Sequence, residues 1–214
     1  MGLRDCQHKR SGKDMYASNV LKTYDAVAAI FDRERDKTLF ERRWLDRTLN
    51  HAQGRRVLDL GCGSGRPIAQ YMADRRALVT GVDGAAAMID LFRKNLPQAE
   101  AIHADMRELA LDQTFDILLA WNSFFHLSPD DQKLMFPIFA AHAAPGAILL
   151  FTSGPAAGEP VGEVGGEPIY HSSFDPPVYR SLLDQNGFEE IAFVPEDPDC
   201  QMHSVWMCRK RVSA

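Results

Sequence analysis

Two short apolar runs, each carrying an acid and separated by a glycine-rich turn, constrain the fold of this chain most. Residues 57–65 read VLDLGCGSG, and residues 81–84 read GVDG. The first run predicts a buried strand that enters a tight turn, and the segment between the two runs favours a helix. The second run ends on Asp83. A strand, turn, helix and strand in this order predict one crossover unit of a parallel sheet.

The turn and the second acid suit a nucleoside. Because glycine has no Cβ, Gly61, Gly63 and Gly65 let a ligand approach the backbone closely. A carboxylate at the tip of the next strand can accept hydrogen bonds from both ribose hydroxyls, and Asp83 stands at such a tip. The dinucleotide fingerprint needs a further glycine where this chain has Arg66. The pattern therefore favours a nucleoside cofactor other than a dinucleotide.

The spacing of these glycines after Asp59 resembles motif I of the class I S-adenosylmethionine-dependent methyltransferases, and the resemblance extends over residues 16–210. Counterparts of that family's later motifs follow in order: the ribose-binding acid Asp83, the adenine contact at residues 104–106, the fourth strand and active-site end at 115–126, the fifth strand after the turn at 144–146, and the sixth strand from 187. The resemblance implies S-adenosylmethionine as methyl donor and S-adenosylhomocysteine as product. It also implies a Rossmann-like α/β fold, with a mostly parallel seven-stranded sheet, an antiparallel last strand and helices on both faces.

Apolar periodicity predicts a single domain over residues 16–210, after a polar segment, residues 1–15, that we expect to be disordered. Residues 16–50 predict a helical cap of two helices. Strands are predicted near 56–60, 78–82, 99–103, 115–120, 147–153, 188–194 and 202–209, and later helices near 66–74, 85–95, 129–143 and 177–185. Residues 154–168 are rich in Gly, Pro and Glu, which predicts a mobile lid loop.

Charge and cysteine usage narrow the partners and the compartment. The formal net charge is −5, so there is no global basic field for a polyanion, and nucleic acid is disfavoured. The four cysteines show neither a disulfide framework nor the spacing of a metal site. No apolar run reaches the length of a membrane span. We therefore expect a cytoplasmic protein that holds no metal, does not insert into membranes and acts on a small-molecule acceptor.

The resemblance assigns a set of residues to the cofactor. Asp83 accepts from the ribose, Asp105 accepts from the adenine amino group, and the Met106 amide donates to the ring. Met88 and Trp121 are placed to pack on the donor, although core packing explains them equally well. The full set is Tyr24, Arg35, Gly61, Cys62, Gly63, Gly65, Asp83, Gly84, Met88, Asp105, Met106 and Trp121.

Two assignments at the donor's amino-acid end have two open interpretations each, those of the arginines and of Asp59. Tyr24 and one of Arg33 or Arg35 can reach the carboxylate of the donor, since a guanidinium pairs well with a carboxylate. A solvated helix face explains the arginines too. Asp59 either holds the turn or reaches the donor's ammonium through water.

Asn122, His126, Tyr170 and His171 are the candidates for the acceptor site. Residues 122–125 read NSFF, where amino-methylating nucleic-acid enzymes carry two prolines, so that subclass is disfavoured. Asn122 either orients the acceptor or caps the strand end. A neutral His126 can take a proton from an oxygen nucleophile, or it is simply hydrogen-bonded within the rim. Tyr170 and His171 form a second acid–base candidate pair.

Methyl transfer from a sulfonium is an in-line displacement, which mainly requires alignment of nucleophile, methyl carbon and sulfur. A general base is needed only for a nucleophile that arrives protonated with a high pKa, so oxygen and nitrogen acceptors both stay open. The sequence predicts a methyltransferase. Two alternatives are an NAD-type oxidoreductase and a non-catalytic, S-adenosylmethionine-binding partner subunit.

Overall fold

The computed structural model describes residues 12–212, with side chains from residue 15. Its helices are α1 (Gly12–Glu34), α2 (Arg42–His51), α3 (Ile68–Asp74), α4 (Ala86–Asn95), α5 (Pro129–His142) and α6 (Pro176–Gln185). Its strands are β1 (Arg56–Leu60), β2 (Leu78–Asp83), β3 (Glu100–His103), β4 (Phe115–Ala120), β5 (Ala143–Ser153), β6 (Val161–Val164), β7 (Glu167–Tyr170), β8 (Phe188–Asp197) and β9 (His203–Lys210).

Seven strands form one sheet in the order β3-β2-β1-β4-β5-β9-β8. The neighbours from β3 to β5 pair in parallel, and β9 runs antiparallel to both β5 and β8. The strand order reverses between β1 and β4. In such sheets a ligand binds at the carboxyl ends of the strands beside this reversal. The predicted Rossmann-like fold is confirmed.

Alternation of buried side chains along the central strands places an apolar core on each face of the sheet. In β1, Leu58 and Leu60 join one buried cluster, whereas Val57 joins the other. The second cluster also contains Trp44 and Leu45 of α2. Because both faces are covered, the residues at the strand tips are the polar ones that remain available for a ligand.

The amino-terminal cap consists of two helices, as predicted, with the break at residues 35–41. Residues 1–11 of the predicted disordered segment lie outside the described residues, and residues 12–15 already belong to α1. No helix between residues 12 and 212 combines the length and the apolarity needed to cross a membrane.

Where the sequence predicts a lid loop, the structure has a hairpin. β6 and β7 pair antiparallel around Gly165 and Gly166, which both have positive φ angles. A Gly-Gly pair between short strands is a hairpin signal, and the polar composition of the segment hid it. The hairpin packs on α1, since Ile169 is buried with Val20 and a Cβ on Gly165 would lie 3.0 Å from Val27.

Candidate active site

A cleft lies at the carboxyl edge of the sheet beneath α1. It is lined from α1, the β1–α3 turn, the tip of β2, the turn after β3 and the end of β4. Every residue that the sequence assigns to the cofactor lines this cleft, and so do Asn122 and His126 among the acceptor candidates. The cleft also contains Asp59 and Ser64, which the assigned set leaves out.

The glycine turn is built from three residues with positive φ, and they have different neighbours. The φ angles of Gly61, Gly63 and Gly65 are 73°, 54° and 79°. A Cβ on Gly61 would lie 2.3 Å from Ser123, and one on Gly65 would lie 2.6 Å from Leu96. On Gly63 a Cβ would meet only Phe31, at 3.6 Å. Two of the glycines therefore permit close packing within the protein, whereas Gly63 leaves bare backbone at the cleft.

Asp83 ties this turn to the tip of β2. Its Oδ2 accepts from the Gly63 amide at 2.9 Å, and its Oδ1 accepts from the Ala85 amide at 2.8 Å. Burial raises the pKa of Asp83, while these two amides oppose the rise. Each carboxylate oxygen has two lone pairs, so both can accept a further hydrogen bond. The carboxylate thus holds the turn and remains available to a diol.

Asp59 lies at the cleft, where burial together with the nearby Asp83 raises its pKa to about 7. The indole Nε1 of Trp121 and the Oγ of Ser64 are buried there without a hydrogen-bond partner among residues 15–212. Because unsatisfied buried polar groups are costly, such atoms in a cleft indicate a polar ligand.

Two of the assigned charged residues are already paired. The Asp105 carboxylate accepts from Arg107, with Nε at 2.9 Å and the amide at 3.0 Å. Burial would raise the pKa of Asp105, but these bonds and the charge of Arg107 hold it below its ordinary value. Arg35 pairs with the buried Glu41 and donates to the Asp36 carbonyl at 2.9 Å. Their roles toward adenine and the donor carboxylate stay predictions.

Tyr24 and His126 meet in the cleft, which the sequence does not predict. The Tyr24 hydroxyl lies 2.8 Å from His126 Nε2, and His126 Nδ1 lies 2.7 Å from the Tyr170 carbonyl. Burial raises the pKa of Tyr24, whereas burial and the neighbouring His171 lower that of His126 to about 3. The histidine is therefore neutral. The hydroxyl proton of Tyr24 is engaged here, so donation to the methyl donor's carboxylate would require this bond to break.

The Asn122 amide is also engaged, which favours the capping interpretation. Its Oδ1 accepts from the Thr152 hydroxyl at 3.0 Å, and its Nδ2 donates to His203 Nε2 at 2.8 Å. The residue has a φ of 50°, in the left-handed region that Asn tolerates. Sequence reasoning missed Thr152 and His203 because they come from β5 and β9, and no local pattern links those strands to position 122.

The second acid–base candidate pair lies outside the cleft. Tyr170 is buried, and its hydroxyl donates to Glu159 at 2.6 Å. The His171 ring lies behind His126, with the ring centroids 4.7 Å apart, and does not line the cleft. None of residues 154–168 lines the cleft either. The hairpin supports α1, and α1 is the element that covers the site.

Residues 57–146 match the family described as methyltransferase domain. Cypemycin N-terminal methyltransferase from Streptomyces sp. is 30% identical over 154 residues, which cover 68% of this chain and 59% of that protein. Trans-aconitate 2-methyltransferase from Azoarcus sp. (strain BH72) is 38% identical over 95 residues, covering 44% of this chain and 36% of that protein. The chain thus aligns with less than two thirds of the length of either relative.

A solved structure matches nearly the whole chain. Burkholderia thailandensis 1,6-didemethyltoxoflavin-N1-methyltransferase, with bound 1,6-didemethyltoxoflavin and S-adenosylhomocysteine, superimposes with a TM-score of 0.71 and covers 98% of each chain at 18% identity. At this identity the match shows a shared fold. Together with the methyltransferase-domain match over residues 57–146, it confirms the resemblance to the class I S-adenosylmethionine-dependent methyltransferases.

Proposed function

We propose that this protein is an S-adenosylmethionine-dependent methyltransferase that acts on an oxygen or nitrogen atom of a small molecule. The observation that carries the proposal is the buried Asp83 carboxylate, which holds the glycine turn through the Gly63 amide at 2.9 Å and faces the cleft. A carboxylate so placed, beside bare glycine backbone, recognises a ribose.

The residues of the cleft fit this donor. Asp83 binds the ribose hydroxyls, and Met88 and Met106 provide apolar surface for adenine. The acid Asp59 suits an ammonium group, while the unpaired Trp121 Nε1 suits a carboxylate. The cleft thus offers complementary groups to every part of an amino-acid nucleoside. When bound, the sulfonium supplies an already activated methyl group.

The protein's own contribution is alignment and exclusion of water. Helix α1 covers the cleft and is fixed to the start of α4, because Asp25 accepts a hydrogen bond from the Ala87 amide at 2.9 Å. Leu21 of α1 lies against Gly84, where a Cβ would come within 2.7 Å of it. A covered cleft holds nucleophile and methyl carbon in line, which is the main requirement of this reaction.

A small molecule is the acceptor that suits this covered cleft. The Azoarcus relative is named for trans-aconitate, and the Burkholderia structure holds 1,6-didemethyltoxoflavin; both are small molecules. The negative net charge supports the exclusion of nucleic acid, which stays a prediction, as does the cytoplasmic location.

Calorimetry with S-adenosylmethionine, S-adenosylhomocysteine and NAD tests the proposal. We expect micromolar dissociation constants for the first two and no binding of NAD. Preferential binding of NAD would favour the oxidoreductase alternative. Tight binding of S-adenosylhomocysteine without methyl transfer to any member of a broad acceptor panel would favour the non-catalytic partner subunit.

A further inference from the structure

A hydrogen-bonded chain at the cleft joins three distant segments. It runs from the Tyr24 hydroxyl on α1 to His126 Nε2 at 2.8 Å, and from His126 Nδ1 to the Tyr170 carbonyl at 2.7 Å. His126 is 7% exposed, and Tyr24 lines the cleft. The direction of every hydrogen bond in this chain can be worked out.

The carbonyl of Tyr170 determines which atom donates in each of these hydrogen bonds. A carbonyl oxygen only accepts, so His126 Nδ1 must carry a hydrogen and donate it. A neutral imidazole has one N–H, and burial keeps the pKa of His126 at about 3, so Nε2 has only a lone pair. The Tyr24 hydroxyl must then donate to Nε2. Its single hydrogen is committed, and its oxygen faces any further partner only as an acceptor.

We propose that Tyr24 is a specificity-determining residue for the methyl acceptor, and that the acceptor is an amine carrying at least one N–H. The inference rests on the proposed methyltransferase function. An oxygen that only accepts selects a donor and repels a carboxylate or phenolate, because lone pairs would face each other. A tertiary amine in its neutral form is rejected, since it has no N–H to donate. Methylation of a primary amine should therefore stop at the tertiary amine.

The hydrogen bonds from Tyr24 through His126 to Tyr170 also disfavour an aliphatic alcohol as the methyl acceptor. An alcohol must lose its proton as it attacks, and the group available through Tyr24 is a histidine whose buried site opposes protonation. An amine needs no base in the protein, because its ammonium form loses a proton to water before the neutral amine attacks. Its nitrogen lone pair attacks the methyl carbon, the carbon–sulfur bond breaks with its electrons going to sulfur, and the product ammonium releases its proton to water. The N–H···O bond to Tyr24 only orients the lone pair.

Five compounds on one skeleton test the inference: benzylamine, N-methylbenzylamine, N,N-dimethylbenzylamine, benzyl alcohol and benzoate. Each is titrated into the complex with S-adenosylhomocysteine above the pKa of the three amines, so that all of them are neutral, and the ¹⁵N signals of His126 are followed. Burial raises the pKa of Tyr24, so its hydroxyl stays protonated there. Each compound is then incubated with S-adenosylmethionine to measure turnover. We expect the first two to shift the His126 signals and to be methylated, N,N-dimethylbenzylamine and benzoate to bind at least tenfold more weakly, and benzyl alcohol to bind without turnover.

Tyr24→Phe removes the accepting oxygen and should abolish this discrimination among acceptors, which is measured at saturating S-adenosylhomocysteine because Tyr24 also lines the donor cleft. Tyr71→Phe is the matched control, because the Tyr71 hydroxyl bonds to Asp46 outside the cleft. Equal or tighter binding of benzoate or the tertiary amine, turnover of benzyl alcohol, or unchanged selectivity in Tyr24→Phe overturns the inference. So does failure of all five to bind to a complex that forms normally. Absence of that complex overturns the proposed function instead.

His126 is a positioning residue, and its variant should change selectivity in one direction. In His126→Leu the Tyr24 hydroxyl is free to donate, so benzoate should bind several-fold more tightly than in the parent and benzylamine more weakly. A merely structural role for His126 would weaken both ligands together, and that result contradicts the inference.

Discussion

The two sides of the cleft are built from residues at very different distances along the chain. On the donor side, Asp83 bonds to the Gly63 amide twenty residues before it. On the acceptor side, the bond between Tyr24 and His126 joins positions 102 residues apart, and the bond from His126 to Tyr170 spans a further 44. The donor side is therefore a local motif, whereas the acceptor side exists only after the fold has formed.

Among the variants that test this comparison, Asp83→Ala should have the largest effect on donor binding. It removes the ribose acceptor and leaves the Gly63 and Ala85 amides short of a partner, so the free energy of donor binding should fall by about 1–3 kcal/mol. The free energy of unfolding should fall as well, because the same carboxylate holds the turn. Calorimetry with S-adenosylhomocysteine and chemical denaturation measure the two losses.

Asp90→Ala is the matched control for that variant. Asp90 lies on the exposed face of α4, where it pairs with Arg93 at 3.5 Å, and its loss should leave donor binding unchanged. Parent-like donor affinity in Asp83→Ala would mean that the ribose lies elsewhere. The ribose site would then not be formed by the glycine turn and Asp83, which are close together in the sequence.

A smaller effect should appear as pH dependence of donor binding through Asp59. The pKa of this carboxyl is about 7 in the free protein, and the donor's ammonium favours its ionised form. Affinity for S-adenosylhomocysteine should therefore rise about tenfold between pH 6 and pH 8, with release of a proton on binding at the lower pH. Calorimetry in buffers of different ionisation enthalpy counts that proton. Asp59→Asn should bind more weakly and with no such pH dependence.

The raised pKa of Asp59 affects the stability of the fold in the opposite direction, so that stability falls as the pH rises. Since folding raises the pKa of Asp59, the folded state holds its proton to higher pH than the unfolded state does. Stability from this group is thus present in acid and is lost as the pH rises from about 4 through 7. Asp59→Asn should accordingly be more stable than the parent at pH 8. If Asp59→Asn is less stable than the parent at pH 8, the ionised carboxylate of Asp59 stabilises the turn in the absence of a ligand.

The donor side of the cleft could be predicted from the sequence to a much greater extent than the acceptor side. The strands, most helices and the lining of the donor side were predictable, because apolar periodicity and glycine spacing are local signals. The hairpin of β6 and β7 was predicted as a loop, although its Gly165-Gly166 turn was a readable signal. Tyr170 and His171 were predicted as candidates for the acceptor site, but neither lines the cleft, and Tyr170 packs with Val20 of α1. No local pattern reports such packing.

The smallest effect, and the one that tests where the two sides meet, is expected from Trp121→Phe. The buried indole Nε1 has no partner among residues 15–212, and Trp121 directly follows β4 and lines the cleft. If its N–H donates to the donor's carboxylate, removing it should cost about 1 kcal/mol, or roughly fivefold, in affinity for S-adenosylhomocysteine. The control ligand is 5′-methylthioadenosine, which lacks the amino-acid end and should bind parent and variant alike. Equal weakening of both ligands would place the indole against the nucleoside, and unchanged affinity for both would mean that the indole N–H does not contact the donor.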